Sequence, residues 1–314
     1  MIYDCFTFFN ELDLLEIRLN ELNSVVDKFV IVEAPWTFTG KPKKFIYETN
    51  KNRYAKFKEK IIYIKLGNLP KDFNYKHYWS DSTIDFQREF FQRNSIQQGL
   101  DKCKPDDIVL ISDLDEIPNP RKITSLKIKP HQTIGFEQNL YYYFFNCKCS
   151  QKWIGTKACL YRDLKESQEI RLRKSDKILK NGGWHLSYMG GVKSIQKKLK
   201  SYAHSEYNND NYTNANHIVT SIFLGIDLFN RFDLKYTLLP KESTEIPISA
   251  KSKKYEKYFF ENNFTNKVKT SIKNEIQQNH LHILELKNNL FELEKKLKEP
   301  TGNSSIIQKL KNLI

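Results

Sequence analysis

Three carboxylates follow one short apolar run in this sequence. Residues 108–111 (IVLI) are apolar, and Asp113, Asp115 and Glu116 come almost directly after them. Carboxylates this close together repel one another and are costly to bury, so they need a counter-charge. Mg²⁺ and Mn²⁺ prefer oxygen ligands, and Mg²⁺ is commonly bound by one or two carboxylates together with substrate phosphates. The pattern therefore favours a metal and nucleotide site, with a solvated acidic turn as the alternative.

A second candidate segment, residues 182–191, reads GGWHLSYMGG. Its two glycine pairs indicate a backbone with unusual dihedral angles or one that a ligand approaches closely. Between them lie Trp184 and His185. An isolated histidine is more often structural than a ligand, but this placement makes His185 a candidate for the same site.

The elements that must position these residues read as an α/β order. Residues 108–111 have the pattern of a buried parallel strand, and ligands in open α/β sheets bind outside the carboxyl ends of such strands. Further strands are predicted at Ile2–Phe9, 29–32 and 61–64, and a helix at Ile84–Leu100. Strands that alternate with helices predict a mixed α/β fold with a mostly parallel central sheet.

The carboxyl-terminal part has a different composition. Residues 250–270 are rich in Lys and Asn and predict a basic linker after a domain at 1–249. Residues 271–314 predict a helical tail whose apolar residues follow a heptad pattern over about three heptads. That pattern is typical of a coiled coil, through which chains could associate, and equally of an amphipathic helix lying on the domain.

Composition excludes several classes of protein. The 314 residues carry a formal charge of +14, but the lysines are spread along the chain and no helix-turn-helix, zinc-finger or RNA-binding signature occurs, so we expect no specific nucleic acid partner. The charge still favours attraction to anionic substrates or to a membrane surface. No signal peptide or transmembrane segment is recognisable, and the five scattered cysteines read as reduced thiols; both observations predict a cytoplasmic protein.

Taken in order, several segments resemble glycosyltransferase family 17. They are YDCFTFFNELDLLEIRLNEL, VDKFVIVEA, TFTGKPKKF, FQREFFQRNSIQQGL, DDIVLISDLDEIP and GGWHLSYMGG, and they cover roughly residues 1–245. The resemblance implies a GT-A type fold, a UDP-sugar donor with N-acetylglucosamine as the first guess, a glycan or glycoconjugate acceptor, Mn²⁺ or Mg²⁺, and inversion. Animal members resemble membrane-anchored Golgi proteins, whereas this sequence opens on the catalytic domain, which favours a cytosolic acceptor.

Transfer from a nucleotide sugar needs the departing diphosphate to be neutralised by a divalent ion, and this chemistry assigns roles to residues. Asp115 is expected to bind the metal directly, Asp113 to bind it through water or to hold the donor ribose, and His185 to be a third ligand or a donor to the diphosphate. The remaining donor-binding candidates are Glu33, Lys41, Arg88, Arg93 and Trp184, with surface or core roles as their alternatives.

An inverting transfer needs a base that removes the acceptor proton, usually a carboxylate. The sequence leaves Glu116, Glu137 and Asp176 as candidates. Two other functions remain open. A sugar-1-phosphate nucleotidyltransferase would use the same strand and acids, but residues 1–20 lack the glycine-rich loop that it needs. A coiled-coil interaction protein would bind sugar nucleotide without catalysis.

Overall fold

The computed structural model describes residues 1–70, 73–231 and 233–260, and a few residues between 278 and 292. The chain divides into two units, Met1–Phe260 and Glu261–Ile314. In the second unit, residues 284–289 are helical, and Leu286 is exposed. The other heptad positions lie outside the described residues, so the predicted coiled coil and the association through it stay predictions.

The first unit is built on one mixed sheet. Its strand order is β3-β2-β1-β4-β7-β6-β8-β5, with β9 pairing with β7. The strands are β1 (Ile2–Phe8), β2 (Lys28–Glu33), β3 (Ile61–Lys65), β4 (Ile108–Asp113), β5 (Glu116–Pro118), β6 (Ile134–Tyr142), β7 (Cys147–Leu160), β8 (Lys177–Ser187) and β9 (Tyr236–Leu238).

Among the described residues, most strands of the sheet point the same way. β1 pairs in parallel with β2 and β4, and β2 does so with β3. β7 is antiparallel to β4, β6 and β9, while β8 is parallel to β6 and antiparallel to β5. Of the nine strands described, β7 and β5 run against the others, which confirms the predicted mixed α/β fold with a mostly parallel sheet.

Helices cover both faces of the parallel half. In β1, Phe6 and Phe8 belong to one core cluster and Tyr3 and Cys5 to the other, as expected where alternate side chains point to opposite faces. The α-helices of this unit are α1 (Leu12–Leu22), α2 (Ile46–Asn50), α3 (Ile84–Asn94), α4 (Pro120–Thr124), α5 (Ser167–Leu172), α6 (Gly191–Leu199), α7 (Asp210–Thr213) and α8 (Ala215–Leu224). None of the helices described has the length and apolar character of a transmembrane span.

Residues 250–260, which composition placed in a linker, pack on the first unit instead. Two short 3₁₀ segments, Ile248–Lys251 and Lys253–Tyr258, include most of these residues. Ala250, Tyr255 and Phe259 are buried in the main core cluster. Lysines dominate the composition here, but these three side chains decide where the segment lies, and the unit extends to Phe260.

Candidate active site

The acidic turn lies at the carboxyl end of β4, where the sheet places it beside β8. β4 ends at Asp113 and β5 begins at Glu116. β5 pairs with β8 so that Glu116 lies opposite His185, and the backbone N–H of Leu186 donates to the carbonyl of Asp115 at 2.8 Å. This pairing brings the two segments singled out in the sequence into one place.

Arg18 of α1 stabilises the turn by hydrogen bonds to its backbone. It is fully buried and forms an ion pair with Asp4 of β1, with hydrogen bonds of 2.8 and 2.6 Å. Its guanidinium also donates to the carbonyl oxygens of Asp113, Leu114 and Glu116 at 2.9, 3.0 and 2.9 Å. One side chain thus orients three of the four carbonyl groups of residues 113–116.

Asp113, Leu114 and Asp115 of the turn line a cavity of about 650 Å³. Four of the predicted site residues line it: Arg93, Asp113, Asp115 and His185. A cavity of this size is in the usual range for a small-molecule or cofactor site. The structure therefore brings the predicted metal residues and one of the predicted arginines to one space.

Two buried guanidinium groups hold Asp113. Arg93 of α3 donates to Oδ1 at 2.7 Å, and Arg171 of α5 donates to Oδ2 at 3.1 Å. Burial raises the pKa of Asp113, but the arginine charges outweigh it and hold the pKa at about 2. Asp113 is therefore ionised at neutral pH, with both oxygens occupied by arginine.

Asp115 faces a lysine and a histidine. Lys198 Nζ of α6 donates to Oδ2 at 2.8 Å, and His185 Nε2 lies 3.6 Å from Oδ1. Burial raises the pKa of Asp115, and the Lys198 charge together with His185 more than reverses this, so the pKa is well below its ordinary value. His185 Nδ1 is buried without a hydrogen-bond partner.

Glu116, the first base candidate, is buried and fully engaged. Its Oε1 accepts from Trp153 Nε1 and from Arg171, both at 2.6 Å, and its Oε2 accepts from the backbone N–H of Asp113 at 3.0 Å. It does not line the cavity. These contacts support a structural role, in which Glu116 positions the turn, and argue against a base.

The other two base candidates lie away from the cavity. β4 and β6 run in the same direction because each is antiparallel to β7. Asp176 accepts from the backbone N–H of Thr133, just before the amino end of β6, so it lies at the opposite edge of the sheet from Asp113. Glu137, within β6, is not among the cavity-lining residues.

Four predicted donor-binding residues have other surroundings. Glu33 is fully buried and accepts from the backbone N–H groups of α2, from Tyr63 and from Lys43. Arg88 donates to the carbonyl of Phe38 and to Asp85 and lies outside the cavity. Lys41 is exposed, and Trp184 packs in the core with its N–H on the carbonyl of Glu245.

Sequence reasoning missed Arg18, Arg171 and Lys198. Only Arg18 carries a signal, since it follows Leu14 by four residues and precedes Leu22 by four, in the apolar stripe of α1. A charge at a core position of a helix needs a buried partner, and Asp4 within the apolar strand β1 is the matching one. Arg171 and Lys198 lie in ordinary charged segments.

The cavity-lining carboxylates beyond the turn are Glu11 and Glu89. Glu89 pairs with Arg93 at 2.7 Å, and Glu11 accepts from the backbone N–H of Asn10 at 2.9 Å. At one part of the cavity wall, aromatic rings pack together. They are Tyr142, Tyr188, Tyr207 and Phe229, and Tyr202 packs against the same buried cluster.

In the part of the chain that the structure describes, no group of three or more His, Cys, Asp or Glu residues is arranged to hold a metal ion. Asp113 is taken up by its two arginines, as described above. Asp115 and His185 remain as a pair: the distance of 3.6 Å from His185 Nε2 to Asp115 Oδ1 is long for a hydrogen bond, and both residues line the cavity. Asp115 and His185 are thus the two predicted ligands that are not held by arginine, and their role as metal ligands stays a prediction.

Comparison with known proteins finds a family model that covers most of the chain. The sequence profile of glycosyltransferase family 17 matches residues 1–268. Human and rat proteins named β-1,4-mannosyl-glycoprotein 4-β-N-acetylglucosaminyltransferase are each 30% identical over 142 residues, which are 43% of this chain and 26% of theirs. The chain thus matches about a quarter of the length of these curated relatives. A crystal structure of an active-site mutant of LgtC is similar at a TM-score of 0.26 and 14% identity, over 44% of this chain and 45% of that chain.

Proposed function

The chain belongs to glycosyltransferase family 17, and from that premise we propose that it is a GT-A type, metal-dependent, inverting enzyme. It transfers a sugar, with N-acetylglucosamine as the first candidate, from a UDP-sugar to a glycan or glycoconjugate. The observation that carries the proposal is the convergence of Asp113, Asp115 and His185 on one cavity at the carboxyl edge of the sheet. The predicted cytoplasmic location stays a prediction.

In this proposal Asp115 and His185 hold the divalent ion. Among the described residues His185 Nδ1 has no hydrogen-bond partner, and the imidazole ring lies against Trp153 with a distance of 5.4 Å between ring centres. When bound, Mn²⁺ or Mg²⁺ would act as a Lewis acid that neutralises the departing diphosphate. Asp113 supports the site by orienting Arg93 and Arg171, whose charges face the same cavity.

The acceptor base is proposed to be Glu11 or Glu89. Both line the cavity, whereas Glu116, Glu137 and Asp176 do not. A base must reach the acceptor hydroxyl directly or through one water, so a carboxylate outside the cavity does not qualify. We assign the aromatic part of the wall to the acceptor, because tyrosine and phenylalanine rings offer apolar faces on which sugar rings stack.

The test is a UDP-release assay on the full chain with UDP-N-acetylglucosamine and Mn²⁺, with and without acceptor glycans. Activity should disappear with EDTA and return with Mn²⁺. Asp115→Asn should lose about 100-fold or more in kcat/KM, as expected when a charge-stabilising group is removed. Asp106→Asn, an exposed aspartate just before β4, is the matched control and should keep wild-type activity.

Full activity of Asp115→Asn with unchanged metal dependence would refute the proposed role. Pyrophosphate release from UTP and a sugar 1-phosphate would instead indicate a nucleotidyltransferase. UDP binding without donor hydrolysis or transfer would indicate a non-catalytic binding protein.

A further inference from the structure

Among the residues that the structure describes, Lys198 is the cation on Asp115 that the proposed chemistry leaves without a role. It lies near the end of α6, and its ammonium group is 2.8 Å from Asp115 Oδ2. His185 approaches the other oxygen of the same carboxylate at 3.6 Å. The carboxylate that is proposed to bind the metal is thus already paired with a positive charge of the protein.

We propose that Lys198 occupies Asp115 until a divalent ion binds, and that it then contacts the diphosphate of the donor. This inference rests on the proposed function. An ammonium group and a divalent ion that bind the same carboxylate lie close together, so their positive charges repel each other strongly. A lysine on a flexible stem can move its hydrogen bonds from the carboxylate to a phosphate oxygen in the same cavity, and no covalent bond changes.

The surroundings of Lys198 allow the side chain to move while the helix stays in place. Ile195 and Leu199 of α6 are fully buried in a core cluster that includes Leu140 and Tyr188. The Lys198 side chain itself is 28% exposed and lines the cavity. Its ammonium group lies 5.0 Å from the centre of the Tyr188 ring, at the cavity wall.

The arginines on Asp113 differ from Lys198 in this respect. Arg93 also donates to Gln168 and Glu89, and Arg171 also donates to Gly155 and Glu116. Among the described residues, the hydrogen-bond acceptor that Lys198 reaches is Asp115. Release of Lys198 from Asp115 therefore breaks one hydrogen bond, whereas release of either arginine breaks several.

The experiment compares Lys198→Met with the wild-type full chain in two binding measurements. Free Mn²⁺ is followed by electron paramagnetic resonance without nucleotide, and UDP binding is followed by calorimetry at saturating Mn²⁺. Lys198→Met should bind Mn²⁺ about threefold or more tightly, because the competing charge is gone. It should bind UDP about tenfold or more weakly, because a charge-assisted hydrogen bond to phosphate is lost.

Tighter Mn²⁺ binding together with weaker UDP binding distinguishes competition from a structural role of Lys198. A misfolded site would weaken the binding of both Mn²⁺ and UDP. Lys193→Met, an exposed lysine on the same helix, should change neither measurement. Lys198→Arg keeps the charge and should keep the wild-type affinity for Mn²⁺.

If Lys198→Met binds Mn²⁺ no more tightly than the wild type, the inference is overturned while the proposed function stands. If the wild-type chain binds neither Mn²⁺ nor UDP, both are overturned.

Discussion

Replacement of Arg18 by methionine would test how the acidic turn is held in place. The change leaves the Asp4 carboxylate fully buried without its counter-charge. Removal of one partner of a buried ion pair costs about 3–5 kcal/mol of the free energy of unfolding. The carbonyl oxygens of Asp113, Leu114 and Glu116 lose the hydrogen bonds that Arg18 donates, which weakens the support of the turn that carries both aspartates.

The loss can be measured by urea unfolding, with tryptophan fluorescence as the signal. Domains are stable by roughly 5–15 kcal/mol, so a loss of this size lowers the urea midpoint by a large fraction. The double variant Arg18→Met/Asp4→Leu removes both charges and should recover part of the loss, because an apolar replacement of a buried pair is often close to neutral. Arg53→Met is the matched control: its pair with Asp13 and Glu16 is partly exposed and should contribute at most about 1 kcal/mol.

A loss below about 1 kcal/mol in Arg18→Met would refute this reasoning, since it would equate the buried pair with a surface pair. A double variant that is less stable than Arg18→Met would also refute it, because the isolated Asp4 charge would then not be the source of the loss.

Four further substitutions distinguish residues that act in catalysis from residues that act in stability. Of Glu11→Gln and Glu89→Gln, one should lower kcat by about 10²–10⁴-fold with little change in UDP affinity, and full activity in both would exclude the proposed base. Glu33→Gln should lower the free energy of unfolding by about 1–3 kcal/mol, because its buried hydrogen bonds are impaired, and leave the calorimetric affinity for UDP unchanged. Asp113 has a folded-state pKa of about 2, below its ordinary 3.8, so its ionised form contributes stability above about pH 4 that is lost as the pH falls towards 2. Asp113→Asn should therefore flatten the fall in urea midpoint over that range, and an unchanged slope would contradict the assignment.

In this chain, glutamates with a structural role occupy the same kind of sequence position as a glutamate that binds a ligand would. Glu33 and Glu116 both end or begin strands near the cavity, as a donor-binding or catalytic carboxylate would. Each is nevertheless buried with its two oxygens occupied by donors from neighbouring elements. Sequence position alone does not separate such a carboxylate from one that faces a ligand, because the difference lies in which side chains are brought against it.

The sequence predicted that the acidic turn and His185 belong to one site, but it did not predict how they contact each other, because that depends on strand register. Both segments were recognisable from composition and from family resemblance, about seventy residues apart in the chain. Their proximity depends on β5 pairing with β8 so that Glu116 faces His185. A shift of one residue in that pairing would turn His185 to the other face of the sheet.

The sequence by itself determined the α/β class, the apolar strands, the family and the acidic turn, because these follow from local patterns of burial and from the order of motifs. Only the tertiary structure decided that Arg93 and Arg171 hold Asp113, that Lys198 holds Asp115, and that Asp176 lies at the far edge of the sheet. Charged side chains are placed by partners distant in the chain, and those partners are set by strand order and helix packing, which leave no periodic trace in the sequence.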